Sequence, residues 1–132
     1  MEVQAYLAFR GNCQEALNYY GELFNAEVRN KQTYEGKNID VPENYRNKLQ
    51  HAELRGKGVS FMAYDAAPDT PLNNGNQIHM SIDVKEKNEA ENLFNKLSNG
   101  GQVQQKFAEQ EWGHFGRCSD KFGINWMVNC NS

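Results

Sequence analysis

The sequence predicts an α+β fold made of two tandem βαβββ modules, about 1–65 and 76–132, joined by a linker over 66–75. Three observations predict it. An amphipathic segment occurs twice, as "EALNYYGELFNAEV" (Glu15 to Val28) and "EAENLFNKLSNGGQV" (Glu89 to Val103), with Glu15, Ala16, Asn18, Leu23 and Asn25 aligned on Glu89, Ala90, Asn92, Leu97 and Asn99. Each copy follows a strand-like run. Each half also closes on a matching strand, "GVSFMAY" (Gly58 to Tyr64) and "GINWMVN" (Gly123 to Asn129). Self-similarity of this kind marks a duplicated unit and changes how every other residue is read.

In chain order, "VQAYLAF" (Val3 to Phe9) is the first strand. The first helix follows, with Ala16, Tyr19, Tyr20 and Leu23 at the three- and four-residue spacing of one buried face and Asn12 near its cap. "AEVRNKQTY" and "KLQHAELR" are short enough to be strands. Between them Glu35 to Asn47 is longer than most connections, carries Gly36 and Pro42, and has only Ile39, Val41 and Tyr45 as apolar anchors, so it is expected to be a mobile flap. Turn formers Pro68, Pro71 and Asn74-Gly75 mark the linker. "QIHMSIDV" (Gln77 to Val84) then alternates as a half-buried strand does. The second helix repeats the stripe with Ala90, Leu93, Phe94 and Leu97, Asn88 near its cap and Gly100-Gly101 at its end; "GGQVQQKFA" and "WGHFGRCS" are the next strands.

A chain of 132 residues suits one domain with its own core. No apolar run approaches the ~20 residues of a membrane span, and "MEVQAYLAFRGN" lacks the pattern of an export signal. Cys13, Cys118 and Cys130 are an odd set without metal-type spacing, as expected of reduced thiols in a cytoplasm. A net charge of −3 without a basic run offers nucleic acid no electrostatic footprint.

"YLAFRGNCQEALNYYGELF", "HAELRGKGVSFMAYD" and "WGHFGRCSDKFGINWMVNC", in this order, resemble the PhnB-like (3-demethylubiquinone methyltransferase-like) branch of the vicinal oxygen chelate superfamily, which includes glyoxalase I, extradiol dioxygenases and fosfomycin and bleomycin resistance proteins. The resemblance implies a curved mixed sheet with a cleft, a small-molecule ligand, and a homodimer. It does not bring the methyltransferase chemistry with it, since the sequence shows no glycine-rich strand-to-helix turn for a nucleotide-like cofactor. In the superfamily the cleft usually holds a divalent metal on His, Glu or Gln. By resemblance to glyoxalase, and by the internal repeat, the four ligand positions fall on Ala5, Met62, His79 and Met127. Alanine has no donor and a thioether is a soft ligand, which leaves His79 alone and implies no metal and no cofactor.

Alternation through Met62, His79 and Met127 places Ser60, Tyr64, Gln77, Ser81, Asn125 and Asn129 on the cleft face, and Val59, Phe61, Ala63, Ile78, Met80, Ile82, Ile124, Trp126 and Val128 in the core. A polar, mostly uncharged face with methionine lining suits a small polar molecule. Expected ligand contacts are His79, Met62, Tyr64, Asn125, Met127, His51 and Trp112. His79 is the best candidate for a catalytic base. His51 and Glu53 share a strand face with Leu49 and Arg55, and either meet a ligand or pair with each other. Trp112 either walls the cleft or packs in the core. Arg117 either clamps an anion or pairs with Asp120 or Glu109, and Asp120 itself reads as a turn residue. The alternatives to plain binding are an isomerase, lyase or transferase, working through His79 or through a metal on His51, Glu53 and His79, and a sequestering, resistance-type binder.

Overall fold

The computed structural model describes residues 1–131. They form two compact units, Met1–Leu72 and a second beginning at Asn73, a boundary inside the expected linker. The first unit runs β1 (Tyr6–Phe9), α1 (Cys13–Phe24), β2 (Glu27–Thr33), a short 3-10 turn (Glu43–Tyr45), β3 (Leu49–Gly56) and β4 (Val59–Asp65). The second runs β5 (Met80–Asp83), α2 (Lys87–Ser98), β6 (Gln102–Gln110), β7 (Gly113–Ser119) and β8 (Asn125–Cys130). Each is thus βαβββ. The sheet orders are β1-β4-β3-β2 and β5-β8-β7-β6, with β1 parallel to β4, β5 parallel to β8, and the other pairs antiparallel. No helix among the described residues is long and apolar enough to cross a membrane.

Both helices bury one stripe, but that of α1 is rotated from the expected one. Cys13, Ala16, Leu17 and Tyr20 are buried, while Tyr19 and Leu23 are half-buried. The helix starts differently as well. Asn12 stands at the N-cap without a side-chain bond to the helix; the buried carboxylate of Asp65, at the end of β4, accepts instead from Gly11 N and Cys13 N, both at 2.9 Å. In α2 the capping side chain belongs to Glu86, which accepts from Asn88 N, so Asn88 is not the cap. Burial, then the Asp65 charge, pushes the Cys13 thiol far up, which makes it an inert packing group.

The helix-side face of each sheet follows the predicted alternation on the closing strands: Phe61 and Ala63 are buried on β4, Trp126 and Val128 on β8. Ile78 does not join them. It precedes β5, which begins only at Met80, and stands 80% exposed. The turn before β8 is built around Asp120, as expected. Its Oδ1 accepts from Phe122 N at 2.9 Å and Ile124 N at 3.0 Å, and its Oδ2 from Trp126 Nε1 at 2.8 Å.

The segment expected to be a flap is tied down. Tyr34, Val41 and Tyr45 form a buried cluster against Ala67. Tyr34 Oη donates to Asp65 O at 2.6 Å and Tyr45 Oη donates to Ala66 O. Of the three anchors expected, Val41 and Tyr45 are buried while Ile39 is exposed; Tyr34 and the two phenol-to-backbone bonds were not legible.

Candidate functional site

On the face of the first sheet turned away from α1, register sets Tyr6 beside Met62, Met62 beside Glu53, and Glu53 beside Arg29. Ala5 is therefore not the neighbour of Met62 on this face. It lies before β1, and its carbonyl accepts from Met62 N at 3.1 Å. The repeat misled by one residue. Met62 and Met127 correspond, and their partners on the parallel strands are Tyr6 and Ser81. Three residues, Arg10 to Asn12, separate Phe9 from α1, whereas only Lys85 and Glu86 separate the matching Val84 from α2.

Around Tyr6 the first unit assembles a directed chain. Tyr6 Oη lies 2.6 Å from His51 Nδ1, His51 Nε2 lies 3.2 Å from Glu53 Oε2, and Glu53 Oε1 lies 3.1 Å from Arg55 Nη2. Arg55 Nη1 donates to Ser60 Oγ at 2.7 Å. The His51 bond, then an Asn30 side-chain bond, and the Arg55 charge hold the Glu53 carboxyl below its usual range against its partial burial. An ionised carboxylate only accepts, so His51 Nε2 carries a proton; in the neutral imidazole Nδ1 is then the acceptor, and the Tyr6 hydroxyl donates to it. Partial burial, then Tyr64, Cys13 and Glu53, raise the Tyr6 phenol above its ordinary value. Tyr64 meets the Tyr6 ring edge-on, with centroids 5.3 Å apart. Asn30 reaches Glu53 from an irregularity in β2 where its own φ is +54°, a conformation most side chains avoid.

In the second unit His79 is joined to amides. Its Nε2 lies 3.0 Å from Gln104 Oε1, so it donates there; Gln104 Nε2 donates to Asn125 Oδ1 at 3.1 Å. Asn125 Nδ2 in turn donates to Gly75 O at 2.7 Å and Ile78 O at 3.2 Å. Asn125 thereby holds the chain entering β5, and His79 has an orienting partner that spacing alone did not reveal. Met127 is half-buried between Ser81 and Arg117, Asn129 Nδ2 donates to Ser81 Oγ at 3.0 Å, and Arg117 Nε donates to Gln105 Oε1 at 3.3 Å.

Within each unit, some expected residues come together and others do not. His51, Met62 and Tyr64 share the open face of the first sheet, and His79, Asn125 and Met127 that of the second. Trp112 does not pack in the core, the second of its two expected roles. It is 57% exposed on the β6–β7 turn, its ring centroid 6.3 Å from that of Phe115, at the end of the sheet remote from Asn125. Leu49 is buried despite its parity with His51. Tyr6, Asn30 and Gln104 were missed. Tyr6 could have been found by moving the first strand's alternation one residue, but no local signal marks Asn30 or Gln104, which act across strands.

A divalent metal does not fit the positions that correspond to the superfamily's ligands. Of the four positions expected by resemblance, only His79 carries a donor for such a metal, and the strand partners of Met62 and Met127 add a phenol and a serine hydroxyl, in Tyr6 and Ser81. Among the described residues no group of three or more His, Cys, Asp and Glu is placed to hold a metal. A nucleotide-like methyl donor finds no cradle at the strand-to-helix junctions either. Gly11 N and Cys13 N are already taken by Asp65, and the second junction has no glycine.

Duplicated βαβββ units with parallel first and last strands define the vicinal oxygen chelate class, and solved members of the glyoxalase/bleomycin resistance protein/dioxygenase family and a fosfomycin resistance protein share the fold. Residues 1–129 match the family described as 3-demethylubiquinone-9 3-methyltransferase, and the chain belongs to that family, the PhnB-like branch of the class. It is 30% identical to Protein YjdN of Escherichia coli (strain K12) over 140 residues, covering 98% of this chain and 95% of that protein. The crystal structure of PA1353 from Pseudomonas aeruginosa is 34% identical, with a TM-score of 0.85 and 98% of both chains covered. A PhnB protein from Bacillus cereus, 22% identical, has the same fold, with a TM-score of 0.85 over 98% of this chain and 99% of that one.

Proposed function

We propose that the protein binds a small polar molecule on the open, helix-free side of its sheets and does so without a divalent metal. The observation that carries this reading is the Tyr6–His51–Glu53–Arg55 chain, in which hydrogen-bonding groups converge on one half-exposed face while their charges compensate internally. The amide-rich face around His79 and Asn125 is likewise neutral. Such surfaces favour an uncharged ligand with several hydrogen-bonding groups, and the methionines supply adaptable apolar lining. The methyl transfer in the family's description is no part of this reading, because the junctions offer such a cofactor nothing.

A panel of neutral polar metabolites in a thermal-shift assay tests it. A ligand at about 100 times its Kd should add roughly 2.7 kcal/mol, several degrees in Tm for a chain of this size. The shift should persist in chelator and shrink in Tyr6→Phe and His51→Gln. A shift that requires added zinc, nickel or manganese would overturn the metal-free part of the proposal.

The same reading includes a cytoplasmic homodimer. Three buried free thiols favour the compartment. β1, four residues long, lies at the edge of its sheet with one side unpaired by its own unit, a liability that association through this strand removes. Sedimentation of the unmodified protein at micromolar concentration should give a dimer, and Leu7→Asp should weaken it. A monomer at that concentration would refute the assembly.

A further inference from the structure

We propose that Tyr6, His51 and Glu53 form an activated-hydroxyl site, in which Tyr6 Oη attacks the carbonyl carbon of small neutral acyl compounds, esters foremost. A nucleophile, a base within hydrogen-bond reach and a third group orienting that base are the parts such activation needs. All three are present in the required direction: hydroxyl to Nδ1 at 2.6 Å, Nε2 to carboxylate at 3.2 Å. Exposure is graded to match. Tyr6 is 46% exposed, whereas the side chains of His51 and Glu53 are 23% and 19% exposed. Tyr6 is thus the most accessible member of the chain and Glu53 the least.

Two further observations set this chain apart from ordinary surface pairing. The first is an internal comparison. In the second unit, register places Ser81 where Tyr6 stands, Phe115 where His51 stands, and Arg117 where Glu53 stands. The same backbone holds its shape with none of the three groups, so the fold does not require them. The second is Asn30, whose left-handed conformation delivers its side chain to Glu53 and so fixes the carboxylate that orients His51.

As Tyr6 Oη bonds to the carbonyl carbon, its proton passes to His51 Nδ1, and Glu53 stabilises the imidazolium through Nε2. The carbonyl pair moves to oxygen and returns as the carbon–oxygen bond to the leaving group breaks. The leaving group departs with that pair and takes the proton from His51. Water then attacks the tyrosyl ester carbonyl while His51 Nδ1 accepts its proton; the bond from that carbon to Tyr6 Oη breaks, Tyr6 Oη takes the proton back from His51, and the acid departs. Ester and water become acid and alcohol, with no net oxidation or reduction.

This proposal rests on the reading that the first sheet's open face receives small molecules, but its test needs no knowledge of the natural ligand. The whole protein is treated with p-nitrophenyl acetate at neutral pH, and acetylation of each tyrosine is followed by peptide mass spectrometry in samples quenched with acid before a first turnover is complete. Tyr6 should be acetylated at least about tenfold faster than N-acetyltyrosinamide, and about a hundredfold slower in His51→Gln, the lower end of what a positioned base contributes. Glu53→Gln should also slow it. Because the Tyr6 phenol is raised, spontaneous phenoxide would make it slower than the free amide, so acceleration requires the base. A Tyr6 rate at or below that of the free amide in the unmodified protein would overturn the proposal, whatever the variants do. So would an unchanged rate in a folded His51→Gln. Either result leaves ligand-dependent thermal shifts standing, which keeps the two readings separable.

Discussion

Asp65→Ala is expected to destabilise the protein by about 2–6 kcal/mol, because it leaves two buried N–H groups and one part-buried one without an acceptor and each buried loss costs about 1–3 kcal/mol. The carboxylate is 1% exposed at the end of β4. It accepts from Gly11 N and Cys13 N through Oδ1, and from Leu49 N at 2.9 Å through Oδ2. It therefore joins the start of α1, the start of β3 and the end of the closing strand. Asp65→Asn keeps one carbonyl oxygen but turns an amide donor toward another donor, so a substantial part of the loss should remain. Urea denaturation of the variants measures both. A loss below about 1 kcal/mol for the alanine variant would mean that water or a shifted backbone replaces the carboxylate.

Trp126→Ala should cost about 3–5 kcal/mol, as large aromatic truncations in cores do. The ring is 2% exposed on β8, and its Nε1 satisfies Oδ2 of the buried Asp120. Removing it opens a cavity and takes a donor from that carboxylate. Met127→Leu, the next residue but on the other face, conserves volume at a half-buried position and should cost less than about 1.5 kcal/mol. Similar losses for the two would show the faces of β8 to be inverted.

The duplicated plan was legible because helix period and strand alternation are local, and the closing strands repeat almost residue for residue. Phe61, Ala63, Trp126 and Val128 were placed correctly for that reason. The first strands were harder. They are four residues long, too short for alternation to fix parity, and the longer junction before α1 slides β1 against β5. Parity at Tyr6 was consequently lost, and with it the partner of His51. The pairing of His51 with Glu53, two residues apart on one strand, was legible as one of two options. Its extension to Tyr6 spans 45 residues of sequence and depends on register, which local pattern does not encode. The Ile78 error has a similar origin: alternation continued past the point where β5 has a neighbour to pair with.

The two helices are seated by unlike means, and the difference bears on the order in which the chain folds. At α2 the anchoring oxygen comes from Glu86, two residues from the amide it binds. At α1 it comes from Asp65, 52 and 54 residues away. Cys130, at the position in the second half that corresponds to Asp65, offers only a thiol directed at Lys85 O, 3.6 Å away. Closing a short loop costs little chain entropy and is fast, whereas one of some fifty residues must wait for the intervening strands. The second helix can thus nucleate as its own residues emerge from a ribosome, while the first is held in its final seat only after the last strand of its own half has been made. The two halves are in this way kinetically distinct, one early and self-starting, the other closed by a late lock on the half that carries Tyr6 and His51.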